Sequence, residues 1–230
     1  MSTLGKLFVV GTPIGNLADI TYRAIDVLNN VEFIFAEDTR VSKKLLNHYS
    51  IDKKIYSYHD HSRDSEVVNL INILVDGSNV ALISDAGTPT ISDPGYRLIR
   101  QCIKKGIDVI PIPGPSAVTA ALSVAGLPSD SFTFIGFLPQ KKGRVKKIEQ
   151  LNDIENTIIV FESPHRIFKT LNQFLEILGN RQVVIGRELT KLYEEIIRGN
   201  LKEVIQRISD KSLKGEIVIM IGKNDDRINF

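Results

Sequence analysis

The sequence has a single cysteine, Cys102, and therefore lacks the residues for an intrachain disulfide framework or a cysteine-rich zinc site. This scarcity predicts a reducing, cytoplasmic compartment. No apolar run approaches ~20 residues, the length that spans a bilayer. The N-terminus enters a strand by Leu7 without a basic and then apolar leader, so neither secretion nor membrane insertion is expected.

The chain also lacks a large excess of charge. Its 29 Lys and Arg residues nearly balance 27 Asp and Glu residues, which leaves a formal net charge of +2. A protein held to nucleic acid by charge alone has a strongly basic surface, so any such contact must here be local. The 230 residues are enough for two domains of about a hundred residues each.

Apolar runs of strand length alternate with helical segments through the first half of the chain. This alternation predicts an α/β fold with a parallel sheet covered on both faces. The segment 111–115 holds three prolines and is expected to continue neither a strand nor a helix, so we place the domain boundary there. The predicted parts are an N-terminal α/β domain (1–113), a C-terminal α/β domain (118–222) and a polar tail (223–230).

The longest of the strand-to-helix junctions runs from Ser84 to Gly95 and follows the apolar run 80–83. Ligands of open α/β sheets bind at such junctions, because main-chain amides and a helix N-terminus are left pointing outward. Gly87 allows close approach of a ligand to the backbone. Asp93 and Pro94 are predicted to supply the N-cap and the first turn of a helix that continues to Lys105.

Two common ligand motifs are incomplete. The junction after the first strand contains Gly11 and Gly15 but no G-x-G-x-x-G pattern, and Pro13 removes an amide that a dinucleotide would use. The pair in His59-Asp60-His61 has no cysteine and no third histidine nearby, which favours a solvated turn or a substrate contact over a metal site. Neither a dinucleotide nor a metal is therefore expected.

A cluster of basic residues follows the strand predicted at 132–137. A run of charge is most often a solvated face, but this one lies on a loop at a strand end, on the same side as the other junctions. It is the best local candidate for contact with an RNA backbone. The residues are Lys141, Lys142, Arg144, Lys146 and Lys147.

Eight ordered motifs resemble the ribosomal RNA small subunit methyltransferase I family, a branch of the tetrapyrrole methylase superfamily. They cover essentially the whole chain. The motifs are G-T-P-I-G-N-L-x-D-I at 11–20, A-E-D-T-R at 36–40, S-D-A-G-T-P at 84–89, P-G-P-S-A at 113–117, G-F-L-P at 136–139, F-E-S-P-H-R at 161–166, G-R-E-L-T-K at 186–191 and G-E-x-V at 215–218.

The resemblance implies a two-domain α/β fold of the tetrapyrrole methylase type, with a cofactor cleft between the domains. It also implies a homodimer and the S-adenosylmethionine-dependent 2′-O-methylation of a cytidine ribose in the decoding region of 16S rRNA, with the small ribosomal subunit as partner. The residues that it places against the cofactor are Thr12, Pro13, Asp85, Ala86, Gly87, Thr88, Ser116, Ala117, Phe161, Arg187 and Glu216.

Methyl transfer to a ribose hydroxyl would be assisted by a general base, and a nearby guanidinium could bind phosphate or stabilise the developing oxyanion. The candidates are Glu37, Asp38, Arg40, Glu162, His165 and Arg166. Their residue types do not rank them, and pairing as structural ion pairs at strand ends is an open alternative. Two other functions also stay open at this point: a methyltransferase acting on a tetrapyrrole ring, and a ribosome-binding protein without catalysis.

Overall fold

The structure, a computed structural model, describes residues 4–59, 64–209, 211–225 and 230. It divides into two compact units, residues 1–116 and 117–230. Both units consist of strands and helices around one sheet, so the predicted α/β class is confirmed. In the described parts of the chain, no helix has the length and apolar character needed to cross a membrane.

The first unit contains a five-stranded, wholly parallel sheet in the order β3-β2-β4-β1-β5. Alternate side chains of its central strand point to opposite faces: Val80 and Leu82 join one buried cluster, Ala81 and Ile83 the other. Helices thus cover both faces. The strands are β1 (Leu7–Val10), β2 (Phe33–Ala36), β3 (Lys54–Ser57), β4 (Val80–Ile83) and β5 (Val109–Ile112), and the helices are α1 (Tyr22–Asn30), α2 (Thr39–His48), α3 (Asp64–Val75) and α4 (Tyr96–Lys104).

The second unit contains a five-stranded mixed sheet in the order β6-β7-β10-β8-β9. The β6–β7 pair is parallel, and the other pairs are antiparallel. One large cluster of buried aliphatic residues and Phe174 forms its core. The strands are β6 (Phe132–Phe137), β7 (Thr157–Glu162), β8 (Gln182–Arg187), β9 (Glu195–Asn200) and β10 (Ile217–Ile221), and the helices are α5 (Ala117–Ala125), α6 (Arg144–Glu149), α7 (Ile167–Leu178) and α8 (Leu201–Ile208).

Several predicted boundaries were wrong. Helix α4 begins at Tyr96, because its N-cap Gly95 has φ +141°, a conformation outside the helical region, so Asp93 and Pro94 precede the helix. Strand β5 includes Pro111, which is tolerated because β5 is an edge strand. Strand β9 was missed, since its charged residues and Gly199 interrupt the apolar alternation.

Candidate functional site

Three loops meet at the carboxyl edge of the first sheet. The loop after β1 is joined to the loop after β4 by a pair of main-chain hydrogen bonds between Thr12 and Gly87, of 2.8 and 3.1 Å. The buried hydroxyl of Thr12 also donates to the carbonyl oxygens of Ser84 (3.2 Å) and Gly87 (3.3 Å). Two predicted cofactor-binding residues, Thr12 and Gly87, are thus in direct contact.

The loop after β5 packs against the loop after β1 through two glycines. A Cβ atom on Gly11 would lie 2.8 Å from the Cα atom of Gly114, and one on Gly114 would lie 2.7 Å from the carbonyl oxygen of Gly11. Neither position can accept a side chain without moving main chain. The Pro113-Gly114-Pro115 segment is therefore held in van der Waals contact with the end of β1.

Gly87 lies between two amides that a ligand could use. Its φ of +83° belongs to the left-handed region, which glycine adopts without steric cost. Among the described residues, no acceptor binds the main-chain amides of Ala86 and Thr88. A carboxylate or hydroxyl acceptor fits such amides, so this loop is suited to bind an oxygen-bearing group of a ligand.

The acidic junction after β2 reaches the same edge. The amide of Asp38 donates to a carboxylate oxygen of Asp85 at 3.0 Å. The side chain of Asp38 caps α2, accepts from the amide of Arg40 at 2.8 Å and forms an ion pair with the guanidinium of Arg40 at 2.7 Å. These bonds lower the pKa of Asp38 to about 2, so Asp38 is a weak proton acceptor.

Asp93 is a functional candidate that the sequence analysis treated as a helix cap. Burial raises its pKa to about 6; a hydrogen bond with Ser84 lowers it, and the neighbouring charges of Glu37 and Asp85 raise it. A carboxyl group with a pKa close to neutral is suited to accept a proton at the working pH. No sequence signal separated Asp93 from an ordinary N-cap.

We expect Asp93→Asn to raise the melting temperature at pH 7–8 by about 2–4 °C. The pKa of Asp93 is raised from 3.8 to about 6, so the folded state binds this proton more tightly than the unfolded state, and stability falls as the pH rises through that window. The neutral amide removes this loss. Plots of melting temperature against pH for Asp93→Asn and the wild type should therefore converge towards pH 4 and separate towards pH 8. The difference in melting temperature between the exposed-site control Asp52→Asn and the wild type should stay constant over this range. Equal melting temperatures at pH 8 would contradict the assignment.

In the second unit, the carboxylate of Glu162 is enclosed by four donors. Its Oε1 accepts from the amide of Ser163 and from Nε of Arg166, both at 2.7 Å. Its Oε2 accepts from the hydroxyl of Thr170 at 2.6 Å and from Arg144 at 3.1 Å. Although burial raises the pKa of Glu162, these hydrogen bonds lower it more, and the net direction is downward. A carboxylate with its lone pairs occupied favours the structural alternative over the general-base role.

The basic run was predicted to lie on a loop at a strand end, but Arg144 is buried at the start of helix α6. Its side chain is 4% exposed, and its guanidinium donates to Gln173 (2.8 Å) and to the carbonyl oxygen of Pro139 (3.1 Å) as well as to Glu162. It cannot reach RNA without leaving these partners. Lys141, Lys142 and Lys146 of the same run are exposed, and Lys147 is half-buried.

The other residues predicted in this unit lie at the end of its sheet that carries Glu162. The register places Ile217 of β10 opposite both Glu162 and Arg187, so the preceding Glu216 lies at the same end. Arg187 donates to Glu195 at 3.1 Å, and Glu216 accepts from Lys191 at 3.0 Å. Phe161 contacts the rings of Phe134 and Phe137 edge to face.

The remaining predicted residues differ in their exposure to solvent. Pro13 is buried, and Ser116 and Ala117 stand where the two units are divided, with Ala117 opening α5. His165 is exposed, and its amide lies 3.4 Å from the hydroxyl oxygen of Ser163. Of the histidine pair, His61 lies outside the described residues; within them, no group of three potential ligands is arranged to hold a metal.

Comparison with known proteins gives consistent results. Residues 6–205 match the family model described as Tetrapyrrole (Corrin/Porphyrin) Methylases. A Halalkalibacterium halodurans protein named ribosomal RNA small subunit methyltransferase I is 50% identical over 97% of this chain and 78% of its own length. A Thermotoga maritima protein of the same name is 45% identical over 95% of this chain and 98% of its own. The solved structure of a cobalt precorrin-4 methyltransferase, 20% identical, covers 94% of each chain with a TM-score of 0.70, which indicates a shared fold.

Proposed function

The chain belongs to the tetrapyrrole methylase family and, within it, to the ribosomal RNA small subunit methyltransferase I family; from that premise we propose that it methylates small-subunit rRNA. The proposed reaction is transfer of a methyl group from S-adenosylmethionine to the 2′-oxygen of a cytidine ribose in the decoding region of 16S rRNA. The observation that carries the proposal is identity of 45–50% to proteins of that name over 95–97% of the chain.

The loop around Gly87 is the proposed place for the methionine end of the cofactor. S-adenosylmethionine, when bound, supplies an already activated methyl group, so the protein acts mainly by positioning. The amides of Ala86 and Thr88 would hold the carboxylate, and the Thr12 hydrogen bonds keep the loop in place. Contact of the rest of the cofactor with three residues of the second unit stays a prediction. These residues are Phe161, Arg187 and Glu216.

Among the acids, Glu37 and Asp93 are the proposed proton acceptors for the ribose hydroxyl. The two side chains interact electrostatically at the edge that holds the Gly87 loop. Asp38 has a pKa of about 2 and Glu162 is enclosed by donors, so both are less suited to the role. General-base assistance typically contributes ~10²–10⁴-fold to the rate.

The proposal is tested with labelled S-adenosylmethionine and small ribosomal subunits purified from cells that lack this modification. We expect label in 16S rRNA, and we expect it in an alkali-resistant dinucleotide, because a methylated 2′-oxygen cannot attack the neighbouring phosphate. Naked 16S rRNA, tested in parallel, shows whether the assembled subunit is required.

Variants in the same assay identify the proton acceptor. Glu37→Gln or Asp93→Asn should lower the rate by ~10²-fold or more without weakening cofactor binding.

Label in a tetrapyrrole but not in RNA would support the small-molecule alternative. Cofactor binding without any transfer would support a non-catalytic ribosome-binding protein. We also propose that the protein is a homodimer and is located in the cytoplasm. Sedimentation analysis measures the oligomeric state.

A further inference from the structure

The carboxyl ends of β6 and β7 carry the basic run and the turn at 163–166. Because β6 and β7 are parallel neighbours, with Phe137 opposite Phe161, both segments leave the sheet at the same edge. The first segment brings the exposed Lys141 and Lys142, and the second brings Arg166. Two sets of positive charge that are distant in sequence are therefore adjacent in the fold.

Arg144 connects these two segments. Its guanidinium donates to the carbonyl oxygen of Pro139 in the first segment and to Glu162 at the base of the second, and its amide donates to the carbonyl oxygen of Lys141 at 3.3 Å. Its Nε also donates to Gln173 on α7. Arg144 thus fixes the path of the lysine-bearing loop relative to the Arg166 turn.

The network holds more positive than negative charge. Among the described residues, the guanidiniums of Arg144 and Arg166 share the single carboxylate of Glu162. Two cations opposite one anion leave a charge of +1 in a largely buried cluster. A charge of this kind at the floor of a basic surface attracts an anion.

Arg166 is the point at which this charge reaches solvent. Its Nε is fixed to Glu162 at 2.7 Å, and its side chain is 25% exposed. Within the described chain, its terminal amino groups have no partner. An anchored guanidinium with free terminal N–H groups matches the oxygens of a phosphodiester, and its conformational entropy is already reduced before binding.

Resting on the proposed function, we propose that Lys141, Lys142 and Arg166 bind the phosphodiester backbone of rRNA as one surface, and that Arg144 is the residue that positions it. The lysines act as point charges on the backbone, and Arg166 provides directional hydrogen bonds. The surface carries affinity without base readout.

The test measures the salt dependence of binding to a fluorescein-labelled single-stranded oligoribonucleotide by the full-length protein. Each phosphate contact contributes a slope of about −0.7 in log affinity against log salt concentration. Arg166→Ala should reduce the slope by about 0.7, and Lys141→Ala with Lys142→Ala should reduce it by about 1.4. Lys202→Ala, an exposed lysine on α8, is the matched control and should bind as the wild type does.

Positioning is tested with Arg144→Lys, which keeps the charge but loses the fork of hydrogen bonds. We expect it to reduce the slope as Arg166→Ala does. Unfolding curves show whether the variant is folded. A folded variant in which Arg144 had only a structural role would keep the slope of the wild type. If Arg144→Lys does not fold, Gln173→Ala removes the Nε acceptor more gently. Unchanged slopes for Arg166→Ala and the double lysine variant would overturn the inference.

The same proteins separate this inference from the proposed function. Methyl transfer by the wild type together with unchanged slopes in the variants would contradict the proposed phosphate-binding surface and support the proposed methyltransferase activity. Absence of transfer to any rRNA would remove the proposed function, and the slopes would still decide whether Arg166 and the lysines bind RNA.

Discussion

Glu162→Ala is expected to lower the free energy of unfolding by roughly 3–5 kcal/mol, because it leaves a buried guanidinium without its carboxylate. Arg144 is 4% exposed and Glu162 is 2% exposed, so water cannot replace the lost partner. The hydroxyl of Thr170 loses its acceptor as well. Urea unfolding followed by circular dichroism measures the change.

The control is Glu176→Ala, which removes an exposed carboxylate from helix α7 and should change stability by less than about 0.5 kcal/mol. The double variant Arg144→Leu with Glu162→Leu should be more stable than Glu162→Ala, since it removes both charges of the buried pair. If Glu162→Ala lowered the free energy of unfolding by less than about 1 kcal/mol, the pair of Arg144 and Glu162 would be accessible to water.

Gly114→Ala is expected to weaken S-adenosylmethionine binding at least tenfold, which corresponds to about 1.4 kcal/mol. The new Cβ atom would lie 2.7 Å from the carbonyl oxygen of Gly11, so the loops after β1 and β5 must separate. Thr12 follows Gly11 directly and is bonded to Gly87, so the displacement reaches the proposed cofactor loop. Calorimetric titration with S-adenosylmethionine measures the affinity.

Gly106→Ala is the control for this experiment. Gly106 has φ +72° but nothing within 4 Å of an added Cβ atom, so the variant has backbone strain without a steric clash. We expect a loss of stability of about 1 kcal/mol and unchanged affinity for the cofactor. Equal affinities for Gly114→Ala and the wild type would place the cofactor away from these loops.

The arrangement of the junctions followed from local patterns. The strands at 80–83 and 132–137 were predicted correctly, because each is a short apolar or β-branched run bounded by turn residues. The loops that follow them were therefore also correctly assigned to the ends of strands. Contact between Thr12 and Gly87 depends on β1 and β4 being neighbours, which no local pattern specifies.

The roles of Arg144 and Asp93 could not be predicted in this way. Arg144 stands among four lysines, and its carboxylate partner is 18 positions away, at the end of strand β7. Asp93 precedes a proline, as a helix cap would, but the positive φ of Gly95 delays the helix and leaves the carboxyl beside Ser84. In both cases the environment of the side chain is set by tertiary packing.

The placement of Pro111 in β5 has a consequence for association between copies of the chain. The edge strand of an open sheet can pair with a strand of another molecule and so begin an ordered aggregate. Pro111 has no amide hydrogen to donate, and the exposed Lys54 on β3 places a charge at the opposite edge. The first sheet is thus protected at both edges against growth into a fibril.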